Sequence, residues 1–158
     1  MSAGSGRAWA RMLSVCGLVV IADQAAKGAV VATLAPGEHV DVALGFDVAR
    51  VTNRGIAFGL LSEGSAELVL AITAAALALV LAWFAFDPAR PWMWLGVGLL
   101  TGGALGNLAD RVREGGVTDF LDPPLWPAFN LADVSITFGV VVIALAALAP
   151  GQPQAAEP

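Results

Sequence analysis

The chain has one cysteine, Cys16, and one histidine, His39, in 158 residues. A lone thiol excludes a disulfide framework and any cysteine-built zinc site, and a lone imidazole leaves little to hold a transition metal. There is neither a GK[ST] phosphate loop nor a GxGxxG fingerprint, so the sequence points to no cofactor and no metal. Charge is scarce as well, at 13% of residues, against roughly 25% in an ordinary soluble domain. The few charges lean acidic, 8 basic against 13 acidic for a net charge of -5, which excludes a basic module for nucleic acid. Apolar residues make up 58% of the chain, a composition of membrane spans rather than of one soluble core.

A helix crosses the hydrocarbon with ~20 apolar residues rising ~1.5 Å each. Leu68–Phe86 and residues 91–109 meet that length without a charge, and Asp87-Pro88-Ala89-Arg90 between them reads as a tight turn joining antiparallel helices. Trp83, Phe84 and Phe86 before the turn, with Trp92 and Trp94 after it, read as an interfacial aromatic belt. Another span is expected over 131–149, with Asn130 as its N-cap and Asp133 in its first turn. The first span, from residue 9 to about 34, carries Asp23 and Lys27 four positions apart, where they neutralise each other. A signal peptide cleaved after Val20-Ile21-Ala22 is the competing reading, but apolar sequence continues past that point. Gly98, Gly102 and Gly106 repeat every four residues, a face suited to close helix packing.

Outside the helices, Val40, Val42, Leu44, Phe46 and Val48 alternate with the period of a half-buried strand, and Gly45 marks a hairpin bend. Residues 111–129 read as loop, with Asp122 before two prolines as a turn residue. The expectation is an all-α membrane protein with four transmembrane helices, one integral-membrane domain over 1–150 and a disordered polar tail over 151–158. Four spans place both termini on one side. Arg7, Arg11 and Arg90 oppose Arg50, Arg54, Arg111 and Arg113, so the charge count leaves orientation open, with Arg7 and Arg11 favouring a cytoplasmic amino terminus.

An ionisable residue in a span needs a partner, water or the interface. In the antiparallel order above, Asp23, Lys27, Asn107, Asp110, Arg111, Asn130 and Asp133 all fall at one membrane face, flanked by Asn53, Arg54 and Asp119. Two facing carboxylates among Asp110, Asp119, Asp122 and Asp133 would share a proton, one taking a proton from water while the other activates a carbonyl. That route to peptide hydrolysis needs no metal, cysteine or histidine. Asp133, close to a helix N-terminus, is expected to be the ionised partner. Other readings stand beside this one. Asp110 and Arg111 equally form a helix-end ion pair, Asp23 and Lys27 a structural pair, and the acidic residues a proton or ion relay or a partner-binding face.

Five motifs follow in order: Asp23-Gln24-Ala25-Ala26-Lys27, Asn53-Arg54-Gly55-Ile56-Ala57-Phe58-Gly59, the run 102–111 ending Gly106-Asn107-Leu108-Ala109-Asp110-Arg111, Val117-Thr118-Asp119-Phe120, and Phe129-Asn130-Leu131-Ala132-Asp133. Together, over residues 9–148, they resemble the lipoprotein signal peptidase (signal peptidase II) family. The resemblance implies an aspartic endopeptidase of the bacterial inner membrane that cuts prolipoproteins before a diacylglyceryl-modified cysteine. It places the catalytic pair on Asp119 and Asp133, with Asp23, Lys27, Asn53, Asn107, Asp110, Arg111 and Asn130 as supporting or substrate-binding residues. It further implies four helices with both termini cytoplasmic, an extracytoplasmic β-sheet cradle, an active site at the outer leaflet, prolipoprotein and membrane lipid as partners, and a monomer without cofactor. Two features depart from the pattern: the short link Asp122-Pro123-Pro124-Leu125-Trp126-Pro127, and the extra charge of Arg54. The stretch 55–64, flanked by glycines, reads as a lid.

Overall fold

The computed structural model describes residues 3–54 and 66–148. The elements run α1 (Ala3–Thr33), β1 (His39–Ala43), β2 (Phe46–Asn53), α2 (Ala66–Phe86), α3 (Met93–Glu114), β3 (Val117–Asp122) and α4 (Leu131–Leu148). Three of the helices, α1, α2 and α4, are long and apolar enough to cross a membrane. The fourth, α3, reaches roughly 33 Å at the α-helical rise. Glycines fill its middle and Asp110, Arg111, Arg113 and Glu114 its last turns, so its composition is less apolar. Its position accounts for this: α3 packs against α1, α2 and α4, and its buried residues meet other helices rather than lipid.

The close approach depends on missing side chains. A β-carbon on Gly98 or Gly102 would stand 2.8 Å from the carbonyl oxygen of Met12 or Cys16 on α1, and one on Gly106 would meet Asp23 at 2.6 Å. The glycine face expected at four-residue spacing is therefore the α1 interface. Gly103, one step around the helix, lies against the Ala132 carbonyl of α4 in the same way. At the far end of the bundle Met12, Phe84, Met93 and Val97 form the apolar core. Phe84 sits there edge-on to Trp9 with ring centroids 4.9 Å apart, fully buried. It is a core residue, whereas its expected belt partners Trp83, Phe86 and Trp92 are exposed.

The strands form one antiparallel sheet in the order β1-β2-β3, at the end of the bundle where α1 and α3 finish and α4 begins. The hairpin bends at Leu44 and Gly45, both with positive φ (56° and 76°), the backbone of a type I′ turn that follows the strand twist. The alternation in 40–48 marks strands as expected, but β1 is exposed along its whole length, because among the described elements it packs on β2 alone and no helix covers it. The stretch read as loop over 111–129 contains the end of α3 and all of β3. Val117, Thr118, Asp119 and Phe120 are each buried, so β3 shows no alternation to betray it. Asp122, expected in a turn, instead ends β3 and stands 3.0 Å from His39 Nδ1. Arg50 of β2 donates to the carbonyls of Val31 and Leu34 (3.2 and 2.9 Å), capping the C-terminus of α1 and fixing the sheet to the bundle.

Gly103→Ala is expected to lower the thermal unfolding midpoint in detergent by the equivalent of ~1–3 kcal/mol, the usual cost of overpacking. Gly17→Ala, where nothing lies within 4 Å of the added carbon, should leave the midpoint unchanged or higher.

Candidate active site

Polar residues from α1, β2, α3, β3 and α4 meet where the sheet joins the bundle. Asp119, in the middle of β3 and 2% exposed, accepts hydrogen bonds from Asn53 Nδ2 at 3.1 Å and from Asn130 Nδ2 at 2.6 Å, one on each carboxylate oxygen. Asp133 accepts at Oδ1 from Asn107 Nδ2 (2.8 Å) and at Oδ2 from the Asn130 backbone N–H (3.2 Å). The Asp133 N–H donates in turn to Asn130 Oδ1 at 3.0 Å. This reciprocal pair starts α4 as a capping box, with Asn130 as the N-cap that its position suggested. Asn130, itself 0% exposed, therefore touches both carboxylates.

The proline-rich link makes the meeting possible. Leu125 turns the chain with φ 66°, and Phe129 returns alongside β3, where its carbonyl accepts from the N–H groups of Phe120 and Leu121 and its N–H donates to the Leu121 carbonyl. Asn130 follows directly and so lands beside Asp119. A cleft of about 540 Å³ opens at this point. Asn53, Asn107, Arg111, Asp119 and Asp133 form its polar head, and Val69 and Ile72 of α2 face Ile136 of α4 across it. Among the described residues the α2 and α4 backbones make no contact, so the cleft is open between these two helices. Arg111 lines the cleft and donates to the Asn107 carbonyl at 3.4 Å. It is Arg113 and Lys27, not Arg111, that pair with Asp110, so the helix-end pair Asp110–Arg111 does not form.

Behind the cleft lies a second cluster. Lys27 Nζ is 2.8 Å from Asp23 Oδ2, 2.8 Å from Asp110 Oδ2 and 2.8 Å from Asn107 Oδ1. Asp23 also accepts from the Ala132 N–H at 2.9 Å, tying α1 to the first turn of α4. Gln24, which the sequence reading passed over although it lies inside the first motif, donates to Asp110 Oδ1 (2.9 Å) and accepts from Arg113. Arg54 is exposed just beyond β2, and the stretch 55–64 read as a lid lies outside the described residues. His39, Asp47 and Asp122 bring three ligand-type atoms within 4.8 Å of one another on the outer sheet, the one grouping among the described residues with the donor set for a cation.

The electrostatics of Asp119 follow from where the strand puts it. Its pKa is raised from 3.8 to about 6, chiefly by burial and further by the charge of Asp133, while hydrogen bonds from Asn53 and Asn130 pull the other way. A carboxyl group of this kind keeps its proton into mildly acidic pH, well above an ordinary aspartate, and can exchange it.

Membrane-length helices around a cleft headed by one buried and one half-buried carboxyl group define a membrane protein with a carboxylate-lined cleft. The family model for signal peptidase (SPase) II matches residues 15–149. A lipoprotein signal peptidase from Moorella thermoacetica is 41% identical over 143 residues, covering 89% of this chain and 95% of that protein. One from Pelotomaculum thermopropionicum is 40% identical over 135 residues, covering 85% and 89%. Two solved structures of bacterial membrane enzymes are similar with TM-scores of 0.81 and 0.79, at 32% and 34% identity. They cover 93% and 89% of this chain and 93% and 94% of their own. The chain belongs to the signal peptidase II family, a family of proteases.

An acid whose folded pKa lies above its unfolded value binds its proton more tightly when folded. Its contribution to stability is therefore present at low pH and is lost as pH rises, here between 3.8 and about 6. The loss amounts to about 3 kcal/mol. In Asp119→Asn this slope should vanish, so that unfolding midpoints in detergent fall with pH more steeply for the wild type than for the variant across that window.

Proposed function

We propose that this protein removes signal peptides from prolipoproteins as an aspartic endopeptidase, cutting before a diacylglyceryl-modified cysteine. The observation that carries the proposal is the position of Asn130, which holds Asp119 and Asp133 at the wall of one cleft. In this reading Asp133 is the ionised base and Asp119 the protonated acid. Asp133 takes a proton from water as the water oxygen attacks the scissile carbonyl, and Asp119 gives its proton to the carbonyl oxygen. The tetrahedral species then collapses, with the proton on Asp133 passing to the leaving amine of the modified cysteine and Asp119 recovering its own. Asn53, Asn107 and Asn130 keep the two carboxyl groups in place, and Arg111, the one cation lining the cleft among the described residues, binds substrate carbonyls.

The substrate explains the shape of the cleft. Diacylglyceryl chains stay in the bilayer, so the scissile bond must reach the acid–base pair sideways, and the opening between α2 and α4 offers apolar walls for that approach. We place α3 across the membrane with the other three helices, both termini in the cytoplasm and the site at the outer leaflet of the bacterial inner membrane, with the sheet outside. The enzyme acts as a monomer over a domain that spans 1–150.

Processing of one diacylglyceryl prolipoprotein in proteoliposomes tests the assignment. Asp119→Asn and Asp133→Asn should each lower kcat by on the order of 10³-fold while the variants insert and elute like the wild type. Wild-type turnover by either would overturn the proposal.

A further inference from the structure

We propose that Lys27 is a positioning residue for the acid–base pair, its ammonium holding the Asn107 carboxamide in the single orientation that gives Asp133 a hydrogen bond. The inference rests on the peptidase reading above and deepens it. A carboxamide has an acceptor end and a donor end of nearly the same shape, so its neighbours alone decide which way it points. An ammonium carries three donors and no acceptor, so whatever faces it must accept. Lys27 lies 2.8 Å from each of three oxygens, in ion pairs with Asp23 Oδ2 and Asp110 Oδ2 and in a hydrogen bond to Asn107 Oδ1. With its oxygen held by Lys27, Asn107 can only turn its NH₂ toward Asp133 Oδ1, 2.8 Å away.

The surrounding charges would drive the amide the opposite way without Lys27. Asp23 and Asp110 are 0% and 3% exposed, and removing the ammonium takes away the cation that both face, leaving Asp23 Oδ2 with Gln24 Nε2 at 3.2 Å and Asp110 Oδ2 with no hydrogen bond. The Asn107 carboxamide borders the same gap, since its oxygen is bound to that ammonium, and its NH₂ is a donor that can turn into it. Turning that way, Asn107 would present its carbonyl oxygen to Asp133, replacing a hydrogen bond by repulsion against the proposed base. Besides Asn107 of α3, Asp133 is faced by Asn130 at the start of its own helix, by the carboxyl group of Asp119 on β3 and by Arg111, which lines the same cleft. The Asn130 N–H is bound on the other carboxylate oxygen and cannot substitute at Oδ1. Lys27 itself does not line the cleft.

The test compares kcat and KM in proteoliposomes for Lys27→Met and Lys27→Gln. Both remove the charge, but only glutamine keeps an N–H to offer the Asn107 oxygen. Positioning predicts that Lys27→Met loses roughly 30-fold in kcat, the value of one charge-assisted hydrogen bond, with KM unchanged, and that Lys27→Gln recovers most of the loss. Equal losses in the two variants, or a loss confined to KM, would overturn it. Asn107→Asp covers the case in which neither lysine variant accumulates. It keeps an acceptor for Lys27 and so preserves the buried cluster, yet puts an oxygen where Asp133 had a donor. A folded Asn107→Asp protein should lose kcat by a similar factor, and wild-type kcat in it refutes the inference. Asp133→Asn run alongside separates the two proposals: if it is inactive while Asn107→Asp is fully active, only the role of Lys27 fails, whereas if it is active the peptidase reading fails as well.

Discussion

Lys27 is buried at 4% exposure, between α1 and α3, with an Asp on each helix as ion-pair partner and the Asn107 carboxamide oxygen as hydrogen-bond acceptor. A charge in such a place is tolerable only when it is paired, because an unpaired buried ion costs several kcal/mol. Meeting that condition sets the spacing of α1 against α3 at the polar end of the bundle. It also reaches α4, since the Asp23 that pairs with Lys27 accepts from the Ala132 N–H with its other oxygen. The helices could not slide past one another without uncovering one of these groups. Their register is thus held by polar satisfaction at one end and by apolar packing around Phe84 and Met12 at the other.

Close packing and an open cleft are produced by the same central helix. On two sides of α3 the glycines bring the backbones of α1 and α4 close, whereas among the described residues α2 touches α3 without reaching α4. A cleft remains on that side, apolar along its walls and polar at its head. Such a gradient suits a substrate whose anchor is lipid and whose reacting bond is a peptide. The two carboxyl groups at the head are held differently: Asp119 by a strand that buries it and side-chain amides that donate to it, Asp133 by a helix start and the backbone around it. Two acids of the same chemistry are thereby given unlike surroundings.

Much of this was legible from residue order. Apolar length marked α1, α2 and α4, and Asn130 with Asp133 announced the start of α4 because an N-cap and its partner lie three residues apart in any helix. Asp23 and Lys27 face each other because four residues make about one turn. The four-residue glycine spacing marked a contact face for the same reason. Local rules of this kind carry their geometry within a few residues.

The strand β3 and the bent link after it were not visible in that way. Val117 to Phe120 are buried one after another, and burial on both faces of a strand depends on what the rest of the chain lays against it. Phe84 reads like an interfacial aromatic until Trp9, seventy-five positions earlier, is found packed on its ring. Gln24 has no distinguishing feature in the sequence beyond lying within a motif, and Asn107 stands out only as a polar residue in a span; the partners of both lie on other helices. The residues and their spacing thus settled which helices would form, where α4 begins and which polar side chains gather at one end of the bundle. Tertiary packing decided which of those side chains meet, which way each amide points and where the cleft stays open, because such contacts join elements far apart in the chain and no local periodicity encodes them.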